Sequence, residues 1–212
     1  KLEPIFKSPS NGNFFYGYYD KSQLNNSSTK LLALQVGFMD RMPRAEDRAT
    51  IGYFDLEESE RSYHPITETR TFNWQQGCML QWLPGETSEV IWNERTEGGY
   101  GSKVLNVDSM ETRFLSEPIY ALSNDGNWAV STDFRRINDM RPGYGYEGID
   151  DPNYEIFAPK DAGIWKIDLS TGEKELIFSI WDAQLMSETI LNSRMTKQYF
   201  NHLVVSPDNS RI

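Results

Sequence analysis

The sequence predicts an all-β protein built from a repeated meander of four short antiparallel strands. Residues 119–177 read as four such strands with tight turns and one insertion. The pattern recurs along the chain. Each predicted third strand is an apolar run that ends at an aspartate, and these aspartates, Asp55, Asp108 and Asp168, lie 53 and 60 residues apart. Repeats of roughly 40–50 residues with four strands each are typical of β-propeller blades. We therefore predict a β-propeller.

The repeats divide the 212 residues into three blades and part of a fourth, at about residues 14–70, 72–117, 118–180 and 199–212. Propellers close with about four to eight blades. We expect one domain that is incomplete at its C-terminus. Either it is a fragment of a longer propeller, of seven or eight blades, or a second copy covers its open edges, and the fragment is favoured.

Within the blades, an aromatic first strand is predicted over residues 14–20, and a buried first strand over residues 78–82. In the third blade, Asp125-Gly126 predicts a two-residue hairpin turn, followed by a strand over residues 128–134. The insertion at residues 135–161 is predicted to be a long loop, which is usually either functional or disordered. A short helix is predicted over residues 181–195, and residues 203–212 are expected to begin the fourth blade.

Composition narrows the classes of function. A net charge of −10 argues against nucleic-acid binding, for which a basic stripe is expected. No apolar run approaches the ~20 residues of a membrane span. The lone Cys78 excludes an intrachain disulfide and leaves the compartment open, with a periplasmic or secreted location favoured over the cytoplasm. The oligomeric state is not indicated.

Several polar side chains precede innermost strands, so in radial blades they converge on one end of the central channel. They are Asn73, Gln75 and Gln76 before the second blade, Tyr120 before the third and His202 before the fourth. The amides suit hydrogen bonding to hydroxyl or carboxyl groups, or alternatively the satisfaction of backbone groups between blades. Tyr120 and His202 are candidates for catalysis, or alternatively for packing.

Arginines and tyrosines follow at the same end. Arg135 and Arg136 are expected to end the strand that pairs with Tyr120. With Tyr120 opposite Ser131, strand parity places Arg135 on the side of Tyr120 and Arg136 on the other side. Further substrate-binding candidates in the insertion are Arg141, Tyr144 and Tyr146, because rings interleaved with glycine suit stacking on sugar faces or plain loop packing.

These residue types do not suggest a hydrolase triad, since no nucleophilic Ser or Cys stands beside a base. They suit abstraction of a proton next to a carboxylate. That C–H is feebly acidic until the carboxylate charge is neutralised by Arg, by amide hydrogen bonds or by a metal. A Tyr or His can then act as base and acid.

The sequence resembles the propeller-fold polysaccharide lyases, which include the oligogalacturonate lyases and the ulvan lyases, within a wider group that contains the protein-binding TolB-like propellers. The likeness is carried by YGYYDKSQLNNSSTKLLAL, NWQQGCMLQW, IYALSNDGNWAVSTDFRR and NHLVVSPD. Likeness to the ulvan lyases implies a catalytic tyrosine at Tyr120 and a uronate-neutralising arginine at Arg136. Likeness to the oligogalacturonate lyases implies a divalent metal held mainly by histidines, with His202 as one ligand. The sequence has two histidines, so further ligands would lie beyond it.

Two functions therefore stand. The first is a lyase that cleaves a uronate-containing polysaccharide by β-elimination, with an acidic polysaccharide or oligosaccharide as partner. The second is a non-catalytic propeller that binds a glycan or a protein on the same face.

Overall fold

The computed structural model describes residues 6–85, 87–191 and 196–212. These residues form three four-stranded antiparallel sheets and two helices. The first sheet consists of β1 (Asn13–Phe15), β2 (Lys30–Val36), β3 (Ala49–Asp55) and β4 (Tyr63–Thr69). The second consists of β5 (Gln81–Trp82), β6 (Glu89–Arg95), β7 (Tyr100–Asn106) and β8 (Thr112–Leu115). The third consists of β9 (Ala121–Leu122), β10 (Trp128–Ser131), β11 (Gly163–Asp168) and β12 (Lys174–Ser179).

In each sheet the strands lie side by side in chain order, which is the meander of a propeller blade. The predicted fold class is confirmed. One apolar cluster packs between the first and second blades around Leu34 and Trp92, and another between the second and third around Ile91 and Phe134. All four side chains are fully buried. The apolar faces of neighbouring blades therefore form the core, as in face-to-face packing of sheets.

The turns after the third strands repeat with one change from the prediction. Asp55 and Asp168 end β3 and β11, but Asp108 lies two residues beyond β7, which ends at Asn106. The Oδ1 atom of Asn106 accepts the backbone N–H groups two and three residues further on, at 3.0 Å each. Oδ1 of Asp168 does the same at 2.8 Å. The equivalent residue of the second blade is thus Asn106, because Asn and Asp offer the same acceptor to an Asx turn.

The first hairpin of the third blade has the predicted register but a longer turn. Ala121 pairs with Val130, and the Tyr120 amide donates to the Val130 carbonyl at 2.8 Å. The Ser123 amide donates to the Trp128 carbonyl, so the loop spans four residues, 124–127, rather than two. Its side chains close it, because the Ser123 hydroxyl lies 2.6 Å from Asp125 Oδ1.

A helix replaces the predicted end of the second strand of this blade. β10 stops at Ser131, and α1 (Phe134–Met140) begins after Asp133. Asp133 is the N-cap residue, since its side chain accepts the Arg135 amide at 3.0 Å. The prediction that Arg135 and Arg136 end a strand is therefore wrong, and so is their placement by strand parity.

The second helix confirms the sequence prediction where the structure describes it. α2 (Ile180–Leu191) falls within predicted residues 181–195, apart from its first residue, and residues 192–195 lie outside the described ranges. Two inner strands are shorter than predicted. β1 covers Asn13–Phe15 instead of 14–20, and β5 covers Gln81–Trp82 instead of 78–82. The later start of β5 follows from Met79, whose left-handed φ of 57° interrupts the pleat.

Residues 203–212 form the first turn of a fourth repeat but not the predicted strand. The Ser206 hydroxyl donates to Asp208 at 2.7 Å, and the Ser206 amide donates to the Arg211 carbonyl at 2.9 Å, as at the turn after β9. Upstream, His202 has a φ of 59°, which interrupts extended backbone. The turn is docked on the third blade by Asn124, whose backbone amide lies 2.8 Å from Asn209 Oδ1.

Within the described ranges, neither helix has the length and apolar character required to cross a membrane.

Candidate functional site

The starts of consecutive inner strands meet around the phenol of Tyr120. Its oxygen accepts from Gln76 Nε2 at 2.5 Å and from the His202 amide at 2.9 Å, and donates to Asn201 Oδ1 at 2.8 Å. These side chains come from the segments that precede β5, β9 and the fourth repeat. We call this place the channel mouth, and define it as Gln76, Tyr120, Asn201 and His202 together with Arg141 and Tyr144 of the insertion.

The inner part of the channel mouth is closed. Tyr120 and Gln76 are both fully buried. Burial raises the pKa of Tyr120 to about 12, an effect that hydrogen bonds from His202 and Gln76 only partly offset. The phenol is therefore protonated at neutral pH and unsuited to act as a general base, whose pKa should lie near the working pH.

Two polar atoms of this network lack partners. Gln76 Oε1 and Asn201 Nδ2 are buried and form no hydrogen bond to any residue that the structure describes. One is an acceptor and the other a donor, so a hydroxyl group or a water molecule could serve both.

The outer part of the channel mouth is basic, with His202 exposed and Arg141 half-buried. Nη1 of Arg141 lies 3.2 Å from Nε2 of His202. Since a guanidinium only donates, Nε2 accepts, and the proton of the neutral ring is on Nδ1. The Arg141 guanidinium also lies 3.7 Å above the ring of Tyr144. Across the described ranges, Arg141 forms no ion pair with a carboxylate, unlike Arg135 and Arg136.

Aromatic rings surround the His202 side chain. The Tyr18 ring centroid is 5.2 Å from that of His202, and Tyr144 approaches edge-on at 6.0 Å. Tyr19 packs against Tyr18 in a tilted arrangement, with the ring centroids 4.4 Å apart, and is 86% exposed. Exposed rings beside a cation form a surface suited to sugar rings that carry a carboxylate.

Three of the substrate-binding candidates lie elsewhere. The Asn73 side chain donates to the carbonyls of Tyr144 and Gly145 at 3.1 and 2.9 Å, so it positions the insertion loop from behind. Tyr146 is fully buried and stacks on Phe134 at 4.7 Å. Gln75 is exposed, and its backbone amide donates to Asn73. The polar groups of Asn73 and Tyr146 are thus engaged away from His202, Asn73 with the insertion loop and the Tyr146 hydroxyl with Asn93.

Arg136 is 1% exposed and has a structural environment. Its Nη1 lies 3.0 Å from Asp151. All five of its N–H groups are used, by the Asp151 carboxylate and by the carbonyls of Asn153, Ile156, Phe157 and Gln198. Arg135 turns back on Asp133, with Nη2 at 2.7 Å from the carboxylate. Neither guanidinium contacts the channel mouth.

Sequence reasoning missed Asn201 within the channel mouth and the Lys21–Asp20 pair beside it. Lys21 is buried, pairs with Asp20 at 2.9 Å, and places Nζ 5.2 Å from the centre of the Tyr120 ring. Burial lowers the pKa of Lys21, although Asp20 opposes the shift. Asn201 holds both Tyr120 and the His202 amide. The sequence did offer one indication of the role of Asn201, because this residue directly precedes the candidate His202.

The metal implied by the resemblance does not fit the donors present. Among the described residues, no group of three His, Cys, Asp or Glu side chains is placed to hold an ion. Nε2 of His202 is occupied by the Arg141 guanidinium, whose charge would repel a cation bound to the same nitrogen. A hydrogen-bonded carboxylate fits this arrangement better than a cation does.

Comparison with known proteins adds little to this geometry. No family model matches the chain, and no curated protein matches it. Among solved structures, an oligogalacturonate lyase from Vibrio parahaemolyticus superposes with a TM-score of 0.49 and 15% identity, over 82% of this chain and 43% of that one. The chain thus spans less than half the length of that protein. The fold assignment depends on the three sheets themselves.

Proposed function

We propose that the protein is a carbohydrate-active propeller that binds a uronate-containing saccharide at the channel mouth and cleaves it by β-elimination. The observation that carries the proposal is the Arg141 guanidinium, which is stacked on Tyr144 at 3.7 Å and donates to His202 at 3.2 Å without an acidic partner in the described part of the chain. The planar guanidinium group of an arginine can donate two parallel hydrogen bonds to the carboxylate of a uronate.

Carboxylate binding would also free the base. When Arg141 turns its N–H groups to the uronate, Nε2 of His202 loses its donor and can accept a proton. His202 then removes the proton at C5, and the C–H electron pair forms the C4=C5 double bond. The C4–O bond breaks with its electron pair on the oxygen, which takes a proton from solvent water and leaves as a hydroxyl. Neutralisation by Arg141 stabilises the charge that develops on the carboxylate.

In this assignment Tyr120 is a positioning residue, since its buried oxygen contacts the His202 amide at 2.9 Å. Arg136 holds the insertion and takes no part in the chemistry. The sequence alone favoured both as catalytic. We assign structural roles to Tyr120 and Arg136 because both side chains are buried, whereas a catalytic group must contact the substrate.

A second function, a non-catalytic binding propeller, is favoured by one observation. The Tyr120 hydroxyl is saturated by three partners, so it is not available as an acid for the leaving oxygen. A mouth that binds a uronate without cleaving it would have the same Arg141, Tyr144 and Tyr18.

The test is a panel of uronate polymers, followed by the ultraviolet absorbance of the conjugated double bond and by calorimetry. His202→Asn should lower turnover by about 10²–10⁴-fold, the usual contribution of general acid–base catalysis, with little change in affinity. Arg141→Gln should weaken binding by roughly 10–100-fold, as expected for a hydrogen-bonded charge.

Arg48→Gln is the matched control, because Arg48 is exposed and pairs with Glu68 in the first blade. It should leave binding and turnover unchanged. Binding without any unsaturated product establishes the second function. Absence of binding to every polymer removes the lyase and the saccharide-binding propeller, and leaves only a propeller that binds a protein.

A further inference from the structure

A cleft of about 440 Å³ opens between the second and third blades, within the size range of small-molecule sites. Its walls include Thr96, Glu117, Thr132, Asp133, Asp161 and Trp165. The first five belong to the β6–β7 turn, the link from β8 to β9, and the connection from β10 to β11, and Trp165 lies near the start of β11. In antiparallel blades all three connections lie at the end where the innermost strands begin. The cleft is therefore on the same face as the channel mouth.

Helix α1 links the two places. Asp133 and Arg135, at its start, line the cleft, and Arg141, its C-cap residue, belongs to the channel mouth. At 1.5 Å per residue, this seven-residue helix spans about 10 Å. A saccharide that reaches from Arg141 to the cleft would therefore be longer than one sugar unit.

The charges of the cleft differ from those of the mouth. Arg135 is neutralised by Asp133 and Lys174 by Glu117, at 2.7 Å each. Asp161 also lines the cleft and has no ion-pair partner among the residues described. The balance is therefore slightly negative, which disfavours a second uronate. Free carboxylate oxygens suit the hydroxyl groups of a neutral sugar.

Hydroxyl groups and an aromatic wall complete the lining. Ser131 and Thr132 are 3% and 4% exposed. No residue in the described ranges forms a hydrogen bond with the Thr132 hydroxyl. Trp165 forms one half-buried wall, with Lys174 Nζ 4.8 Å from the ring centre. Such a mixture of indole, hydroxyl and carboxylate groups is typical of sites for polar, uncharged rings.

We propose that the cleft is a distal subsite that binds a neutral sugar unit of the same saccharide chain whose uronate is held by Arg141. The proposal rests on the proposed function of the channel mouth. It predicts a preference for polymers that combine uronate with neutral sugars, over homopolymers of uronate.

The test compares the affinities of short uronate oligosaccharides with those of longer chains, with and without neutral units, by calorimetry on the full protein. Wild type should bind the longer mixed chains about tenfold more tightly than the short ones, and should gain less from a longer uronate homopolymer. Asp161→Asn and Thr132→Val, both nearly isosteric, should remove the gain and leave the short ligands unaffected. Asp150→Asn, an exposed carboxylate of the same insertion outside the cleft, is the control.

The outcomes separate the two proposals. If Arg141→Gln weakens short ligands but the cleft variants bind long mixed chains as wild type does, the distal subsite is wrong and the mouth stands. An equal gain from uronate homopolymers overturns the assignment to a neutral unit. If Arg141→Gln leaves short ligands unaffected, or no saccharide binds, the proposed function fails and the subsite fails with it.

Discussion

At the scale of single residues, the Tyr120 hydroxyl joins three separate segments of the chain. We expect Tyr120→Phe to lower the free energy of unfolding by about 1–3 kcal/mol, because buried groups of Gln76, Asn201 and His202 lose a partner. Urea denaturation measures this change. Tyr19→Phe removes a hydroxyl from a ring that is 86% exposed and should have no effect.

The opposite result would restore the role that the sequence alone suggested. A Tyr120→Phe variant with wild-type stability and lower turnover would make the phenol a chemical group rather than a positioning one.

The convergence of Gln76, Tyr120 and His202 could be predicted from the sequence, because each precedes an innermost strand and radial blades bring such positions together. The role of Arg141 could not be separated from that of its neighbours. The sequence alone does not distinguish the three nearby arginines, but their partners in the structure do. Arg135 and Arg136 each form an ion pair with an aspartate, whereas Arg141 forms a hydrogen bond with His202.

At the scale of elements, the turns after the third strands depend on an Asx acceptor. The Ser170 hydroxyl and the backbone amides of Thr171 and Ser170 hold the pKa of Asp168 at about 2. Because this pKa lies below that of the unfolded chain, near 3.9, the carboxylate stabilises the fold above about pH 4. The contribution is lost as the pH falls through about 2.

Asp168→Asn should keep the turn, as Asn106 does in the second blade, and lose this pH dependence. We expect the variant to be less stable than wild type at pH 7, with a difference that shrinks as the pH falls from about 5 to 2. Urea unfolding at a series of pH values measures it. A difference that stays constant with pH would contradict the assignment.

The α1 helix and the insertion are held by Arg136. Arg136→Lys keeps the charge but has three donors where five are used, so it should cost about 3 kcal/mol or more, as for a broken buried pair. The neighbouring substitution Arg135→Lys is the control, since its pair with Asp133 is partly exposed and should cost about 1 kcal/mol or less. Equal losses in denaturation would refute the structural role of Arg136.

The strands and turns were predictable because alternating apolar residues and Asx or glycine turns are local signals. Helix α1 was not, since its seven residues follow a β-strand without a break in composition. Asp133, a favourable N-cap residue, did indicate a helix start, but the strand-like pattern of residues 128–134 predicted a strand instead.

At the scale of the whole molecule, the third blade and the fourth repeat are joined turn to turn. The Asn124 side chain donates to the Ser206 carbonyl at 3.1 Å and to Asn209 Oδ1 at 3.2 Å. Asn124→Asp replaces this donor with a carboxylate that faces two acceptors. We expect amide hydrogen exchange at Ser206 and Asn209 to become roughly tenfold faster.

Asn26→Asp, at an exposed position, is the control for the added charge and should leave this exchange unchanged. Unaltered protection in the Asn124 variant would show that the docking depends on the apolar contacts of Leu203 instead.

The repeat architecture could be predicted from the spacing of turns in the sequence, and the three four-stranded sheets confirm it. The cleft between the second and third blades could not be predicted in the same way. Its walls come from six separate stretches between Thr96 and Lys174, and no local pattern in any of them indicates the space that they enclose.

The left-handed backbone at His202, with its φ of 59°, restricts what can replace the imidazole. Glycine, asparagine and aspartate adopt this conformation with little strain, whereas a β-branched or bulky residue would have to move the backbone. A descendant of this protein could therefore exchange histidine for asparagine in one step and keep the blade intact. Under the proposed function, this single exchange would separate cleavage of the saccharide from its binding.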